Sequence, residues 1–102
     1  MIYVIATIRL NDGCRENFLA AFRTLVPSVL AEDGCIEYGP TIDVDTNISA
    51  QGTARDNVVT VLEKWESIEA LEDHLVAPHM IEYRGTVKDL VVKAELQITE
   101  PA

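Results

Sequence analysis

The fold is decided by residues 58–80, which read VVTVLEKWESIEALEDHLVAPHM. The first part of this stretch, Val58 to Glu66, is rich in β-branched residues and predicts a β-strand. Side chains alternate across a strand, so one face of this strand carries Val59, Val61, Glu63 and Trp65. A carboxylate on such an otherwise apolar face must be paired, hydrogen-bonded or raised in pKa, which marks Glu63 as a candidate functional residue.

The second part of the stretch predicts two short helices. Ser67 is a favourable N-cap for the first helix. Pro78 ends that helix and suits the first position of a second one, Pro78 to Asp89, because proline has no N–H to leave unsatisfied there. Both histidines and the only tryptophan fall within the stretch, where we expect any chemistry to lie. His74 shares the apolar stripe of the first helix with Ala70, Leu71 and Leu75.

The N-terminal third predicts a strand followed by a helix. Residues Ile2 to Leu10 alternate, with the even-numbered side chains on the core face. Asn11-Asp12-Gly13 predicts a turn that also supplies the N-cap of the helix. The helix is predicted from Cys14 to Ala31, with Pro27 inside it and Gly34 marking its end. Its apolar stripe is built on Phe18, Phe22, Leu25 and Val29.

The remaining segments complete the order β-α-β-β-α(α)-β. Cys35 to Val44 predicts a second strand, and Gly39-Pro40 inside it indicates a bulge or an edge position. Residues 45–57 predict a long polar loop, and Leu90 to Thr99 predicts the last strand. This order is that of a ferredoxin-like α+β sandwich, in which helices cover one face of a four-stranded antiparallel sheet. A chain of 102 residues forms a single domain, 1–102.

The sheet face that no helix covers is predicted to be apolar. A monomer would expose a patch on the order of several hundred Å² there, so we expect a homodimer that buries this face. The prediction assigns to it Ile5, Thr7, Val59, Val61 and Trp65, or their opposite-phase neighbours.

Charge and composition exclude several classes of partner. Seventeen acidic against eight basic residues give a net charge of −9, which repels nucleic acid and anionic membrane surfaces. The apolar start of the chain lacks the basic region and cleavage site of a signal peptide, and no apolar run approaches the length of a membrane span. Cys14 and Cys35 form no CxxC or disulfide-rich pattern, which favours free thiols in the cytoplasm.

Four short motifs together resemble the antibiotic biosynthesis monooxygenase (ABM) domain, and within it the YgiN-type quinol monooxygenases. The resemblance covers nearly the whole chain with the motifs in the same order. They are Glu32-x-Gly34-Cys35-x-x-Tyr38, Glu63-x-Trp65-Glu66-Ser67, Ala70-Leu71-x-x-His74 and Pro78-His79-Met80.

This resemblance implies a dimeric α/β barrel, in which two sheets pack face to face and each subunit encloses its own pocket. It also implies oxidation of small reduced aromatics by O₂ without flavin, haem or metal, so no cofactor is expected. The superfamily also contains haem-degrading enzymes, from which this sequence departs. Its first strand has no Asn, His74 stands about where a Trp is expected, and Arg84 stands about where the haem-ligating His is expected.

Three residues are candidates for catalysis, and each has a structural alternative. His74 is either a core histidine bonded to a backbone carbonyl or a neutral base that takes a proton from a quinol hydroxyl. His79, after Pro78, is either a cap contact or a second candidate base. Glu63 is either an acid–base partner that orients a histidine or a structural partner of Arg9 across the sheet, and the structural role is favoured.

Three aromatic residues are candidates for substrate binding, although each can be simple core. Trp65 and Tyr38 can stack on a flat ring, Tyr38 can hydrogen-bond a quinone oxygen, and Tyr83 is a third candidate. No metal site is predicted, because His74 and His79 are five residues apart across a proline and do not share a helix face.

The predicted function is therefore cofactor-independent oxidation of a small quinol or related aromatic by O₂, with residues 45–57 covering the pocket or reaching the other subunit. Two alternatives remain at this point. One is an isomerase or degrader of a small signal molecule, which would need a more polar pocket. The other is a dimeric binding or stress-response protein without turnover.

Overall fold

The computed structural model describes residues 1–102 and confirms the ferredoxin-like α+β sandwich. Its four strands form one antiparallel sheet in the order β2-β3-β1-β4. None of the three helices has the length and apolar composition needed to cross a membrane. The elements are β1 (Ile2–Leu10), α1 (Arg15–Leu30), β2 (Cys35–Thr41), β3 (Val58–Trp65), α2 (Ile68–Leu75), α3 (Pro78–Val87) and β4 (Val91–Thr99).

The core lies between the helices and the two central strands, as the alternation of β1 and β3 predicts. The even-numbered residues of β1 are buried, and Trp65 at the end of β3 is fully buried. Both strands meet the stripe of α1, where Phe18, Phe22 and Val29 are almost completely inaccessible. The predicted N-cap Ser67 is confirmed, since its hydroxyl accepts a hydrogen bond from Ala70 N and so fixes the start of α2.

The start of α1 differs from the prediction. Its N-cap is Cys14, whose side chain makes no capping hydrogen bond, so the predicted cap within 11–13 is wrong. The polar side chains of that turn bond elsewhere instead. Asn11 donates to Asp89 O, and Asp12 accepts from Asn57 Nδ2 at 2.8 Å, which ties the turn to neighbouring loops.

The turn after α1 has a tight backbone that positions the segment entering β2. The helix ends at Leu30, so Gly34 does not stop it directly but lies in the turn that follows. Gly34 has φ +83°, and a Cβ there would lie 2.6 Å from the Cβ of Ala70 on α2. Only glycine fits this position without strain, because the backbone is left-handed and the neighbouring helix is close.

Strand β2 is an edge strand, as the Gly39-Pro40 pair predicts, and proline is tolerated there. It ends at Thr41 and not at Val44, and its register shift falls between Cys35 and Glu37. The predicted long loop therefore begins at residue 42. An ion pair between Arg55 and Asp43, 2.8 Å apart, joins the two ends of this loop.

In strand β4, the side chains that face the core are not all the ones that the alternation predicts. A bulge beside Arg9 and Leu10 of β1 places Val91 opposite Leu10, so Val92 is exposed, whereas Leu90 lies before the strand and packs partly buried against the core. Leu96 and Ile98 do share the core face but stay exposed, because α1 packs mainly on β2 and α2 on β3, whereas Leu96 borders the open cavity described below.

The uncovered sheet face carries one of the two sets of β3 residues that the sequence left open. Val59, Val61 and Trp65 lie under the helices, so in β3 the second predicted alternative, the opposite-phase neighbours, holds. The open face carries the opposite-phase residues, with Ile5 directly opposite Leu62 at its centre. Around this pair lie Tyr3, Thr7, Arg9, Thr60 and Lys64.

Candidate functional site

A cavity of about 360 Å³ lies between the sheet and the α2–α3 pair. Its walls are mainly apolar and come from all four strands and all three helices. This combination of an apolar wall with a few polar groups is typical of small-molecule sites. The groups that interrupt the apolar wall belong to Tyr38, Glu63, His74, Tyr83 and Arg84.

His74 is held rigidly at the wall of this cavity. It is 2 % exposed on α2, and its ring lies 4.6 Å from Trp65 and 5.4 Å from Tyr38, centroid to centroid. Its Nδ1 contacts Glu32 Oε2 at 2.9 Å. Burial lowers the pKa of His74, and the Glu32 carboxylate partly offsets this effect. The predicted alternative, a bond to a backbone carbonyl, is wrong because the carboxylate takes that place.

The second ring nitrogen of His74 is free to act on a ligand. No protein group hydrogen-bonds Nε2, and this nitrogen is not fully buried, because every fully buried side-chain nitrogen or oxygen in the chain has a hydrogen-bond partner. Nε2 therefore opens to the cavity that His74 lines. Since Glu32 accepts from Nδ1–H, the neutral ring keeps its lone pair on Nε2 and can receive a proton from a bound molecule.

Glu32 is the residue that sequence reasoning missed as part of the site. It lies in the turn between α1 and β2, with 13 % of its side chain exposed, and its Oε2 contacts both histidines. His79 Nε2 approaches that oxygen to 2.7 Å from the first turn of α3. In the sequence, Glu32 was indicated only as the first residue of the first family motif. Hydrophobic periodicity could not identify it, because it lies in a turn and not on the face of a helix or strand.

The two histidines do lie on different helices, as their spacing predicts, but they are not separate in space. Glu32 Oε2, His74 Nδ1 and His79 Nε2 all lie within 4.8 Å of one another. His79 is less enclosed than His74, with 30 % of its side chain exposed. It lines an outer groove of about 350 Å³ between α1 and α3, which Tyr83 shares with the inner cavity.

Glu63 lies on the cavity wall, but it hydrogen-bonds neither a histidine nor Arg9. Arg9 lies on the opposite sheet face and approaches Glu95 at 3.8 Å, so the predicted pairing is wrong. Glu63 Oε1 instead accepts a hydrogen bond from Trp65 Nε1 at 2.9 Å. Burial raises the pKa of Glu63 to about 7, although the Trp65 hydrogen bond opposes that shift.

The candidate binding aromatics divide into two kinds. Tyr38 and Tyr83 line the cavity, and burial raises the pKa of both hydroxyls, which keeps them as neutral donors. Trp65 does not line it and packs behind His74, so its direct stacking on a ligand is not supported by the geometry. Arg84, across the cavity, donates from Nη2 to Leu75 O.

Cys35, near this site, is unsuited to nucleophilic chemistry. Burial and the neighbouring Glu32 carboxylate raise the pKa of its thiol to about 11, so the reactive thiolate is scarce at neutral pH.

Comparisons with known proteins agree with the motifs quoted above. The family model described as "Antibiotic biosynthesis monooxygenase" matches residues 1–86. The chain is 42 % identical over 103 residues to "Probable quinol monooxygenase YgiN" of Escherichia coli K12, covering 99 % of this chain and 98 % of that protein.

Solved structures agree with the fold. PA3566 of Pseudomonas aeruginosa superposes with a TM-score of 0.81 at 23 % identity, covering 99 % of this chain and 93 % of that one. Rv0793 of Mycobacterium tuberculosis gives 0.80 at 24 % identity, with coverages of 99 % and 94 %. At these identities the likeness establishes the fold alone.

Proposed function

The chain belongs to the antibiotic biosynthesis monooxygenase family and has a monooxygenase-type function, and we propose that it oxidises a small quinol with O₂ and needs no cofactor. The name of the Escherichia coli relative supports the substrate class. The observation that carries the proposal is the Glu32–His74 contact, which leaves Nε2 of a buried imidazole open to an apolar cavity.

The proposed role of His74 is that of a general base. Nε2 takes the proton of one quinol hydroxyl, and the resulting quinolate gives electrons to O₂ far more readily than the neutral diol. Glu32 holds the ring orientation and stabilises the imidazolium that forms. One oxygen atom enters the ring and the other leaves as water, so quinol and O₂ yield hydroxyquinone and water in balance.

Three other cavity groups are proposed to bind the substrate oxygens. The Tyr38 hydroxyl, which makes no protein hydrogen bond, is available to a quinone oxygen, and Tyr83 is a second donor on the same wall. Glu63, with its pKa raised to about 7, can donate from its protonated form near neutral pH. These groups favour a planar molecule with oxygen atoms at its ends and an apolar body.

The cavity volume supports a reaction without a bound organic cofactor. At about 360 Å³ the cavity is near the lower end of ligand sites, which span about 300–1,000 Å³. A site of this size suits one small ring system better than a substrate together with a flavin. Its apolar wall also argues against the alternative of a polar signal molecule.

A homodimer through the open sheet face is part of the proposal. Ile5 and Leu62 are both more than 40 % exposed at the centre of that face, where a second copy would bury them. The result that would reject it is a monodisperse mass near 11.3 kDa in solution.

The test of the proposed reaction is oxygen uptake with chemically reduced menadione. Metal-free protein is compared with the uncatalysed rate and with His74→Ala, His79→Ala and Tyr38→Phe. Asp73→Asn, an exposed neighbour on α2, is the matched control. A rate above background that collapses in His74→Ala supports the proposal.

The opposite result also has a clear meaning. Background uptake across several quinols, together with tight quinone binding, rejects turnover and favours the binding-protein alternative. A rate that survives in His74→Ala but collapses in His79→Ala rejects His74 as the base.

A further inference from the structure

We infer that Glu32, His74 and His79 form a binding site for one divalent transition-metal ion, such as Zn²⁺ or Co²⁺, and that the bound ion inactivates His74 as a base. The three residues come from the turn after α1, from α2 and from α3, and their donor atoms converge within 4.8 Å. The inactivation half of this inference rests on the proposed function, whereas ion binding does not.

The donor set matches the chemistry of such ions. Two imidazole nitrogens and one carboxylate oxygen are ligands that Zn²⁺ and Co²⁺ prefer, whereas Mg²⁺ and Ca²⁺ require mainly oxygen donors. Three protein ligands leave at least one coordination position for water or for another small ligand.

Ion binding requires the three side chains to shift, and the distances between their donor atoms give the size of the shift. Glu32 Oε2 lies 2.9 Å from His74 Nδ1 and 2.7 Å from His79 Nε2. Bonds of about 2.0–2.2 Å to one ion place neighbouring donors about 3.0–3.5 Å apart. Each imidazole therefore has to move away from the carboxylate by less than about 1 Å, and the two imidazole nitrogens, at most 4.8 Å apart, have to approach each other by up to roughly 1.5 Å.

The outer groove gives an ion a route to these donors. His79 lines that groove with 30 % of its side chain exposed, Glu32 is 13 % exposed, and His74 is 2 % exposed. An ion entering between α1 and α3 thus meets His79 first and His74 last. The inner cavity does not have to open for it to bind.

Ion binding changes Nε2 of His74, which faces the cavity, from a hydrogen-bond acceptor to a donor. A metal bond to Nδ1 needs the lone pair of that nitrogen, so the single proton of the neutral ring must move to Nε2. Nε2–H then donates into the cavity and can no longer receive the proton of a quinol. The ion would therefore inhibit turnover without occupying the substrate cavity.

The binding test uses Co²⁺, whose visible absorption reports its ligands, on protein freed of metal with a chelator. We expect one ion per chain, displaced by Zn²⁺ and unaffected by excess Mg²⁺. His79→Gln keeps an N–H donor for Glu32 but removes the imidazole, and we expect affinity to fall at least tenfold. A Cys14→Ser/Cys35→Ser variant controls for thiol ligands and should bind like the unmodified chain.

Imidazole nitrogen NMR then tests the tautomer independently of catalysis. We expect His74 to carry its proton on Nδ1 without metal and on Nε2 with Zn²⁺. Oxygen uptake should fall at least tenfold with one equivalent of Zn²⁺, but less than twofold in His79→Gln relative to its own metal-free rate.

Several results would overturn the inference. Equal Co²⁺ affinity in His79→Gln, loss of binding in the cysteine variant, or an unchanged His74 tautomer each rejects the site. If the ion binds and the tautomer switches but the unmodified chain never consumes oxygen, the proposed function fails while the metal site stands.

Discussion

Two carboxylates in this protein, one buried and one partly buried, have opposite surroundings. Glu63, on the cavity wall, has one neutral donor, the Trp65 indole, and burial raises its pKa to about 7. Glu32, at the junction of the three helices, contacts two imidazole nitrogens through a single oxygen.

The difference shows how the same side chain takes different roles. A buried carboxylate with only one hydrogen-bond donor is destabilised as an anion, because the donor does not replace the lost water. It therefore tends to stay protonated and can donate a hydrogen bond to a ligand. A carboxylate with two imidazole partners is compensated and fixes the tautomers of those partners. We therefore assign positioning to Glu32 and ligand contact to Glu63, and four substitutions test this contrast.

The largest expected effect is that of Glu32→Ala on turnover. Without the carboxylate, His74 loses the acceptor that selects its tautomer, and kcat should fall about a thousandfold, or about 4 kcal/mol, while quinone affinity changes little. Oxygen-uptake kinetics and quinone titration measure the two quantities. Glu37→Gln, an exposed carboxylate on β2, is the control, and an equal loss of kcat there would remove the contrast.

Gly34→Ala should distort the junction that holds Glu32 while leaving the Glu63 wall intact. The left-handed backbone and the 2.6 Å approach to the Ala70 Cβ predict a loss of about 3–4 kcal/mol in the free energy of unfolding. Denaturant unfolding measures the loss. Adding Ala70→Gly should restore the part due to the clash, and no recovery would show that backbone strain alone is responsible.

Glu63→Gln should stabilise the protein in a pH-dependent way. The folded state keeps a proton on Glu63 up to about pH 7, whereas the ordinary value of 4.5 applies after unfolding. Stability is therefore lost as pH rises between these values, and the full penalty is present above pH 7. The neutral amide avoids this penalty, so the variant should gain about 2–3 kcal/mol at pH 8 and almost nothing at pH 4.

Thermal and denaturant unfolding at both pH values measure this difference. An equal gain at pH 4 and pH 8 would mean that improved packing, and not the removed charge, stabilises the variant.

The smallest expected effect is that of Ser67→Ala. It removes the cap at the start of the helix that carries His74 but touches neither carboxylate, and should cost about 1 kcal/mol. Denaturant unfolding measures this cost. A kcat within twofold of the unmodified chain would show that Glu32, and not the helix start, orients the imidazole.

The same contrast explains what the sequence could predict. Alternation along β3 identified Glu63 as a charge on a core face, because a strand's period reports which side each residue faces. No period covers the turn that holds Glu32, and the contact with His74 joins residues 42 apart in the chain. The bulge opposite Leu10 was missed for a similar reason, since it depends on how two strands register and not on either strand alone.

The central position of β1 has a consequence for biosynthesis. This apolar strand is synthesised before both of its neighbours, because β3 and β4 begin only at Val58 and Val91. Almost the whole chain must be synthesised before both edges of β1 are paired, and such long-range pairing makes folding slow. A nascent chain therefore carries an unpaired apolar strand, which makes early chaperone contact useful to this small protein.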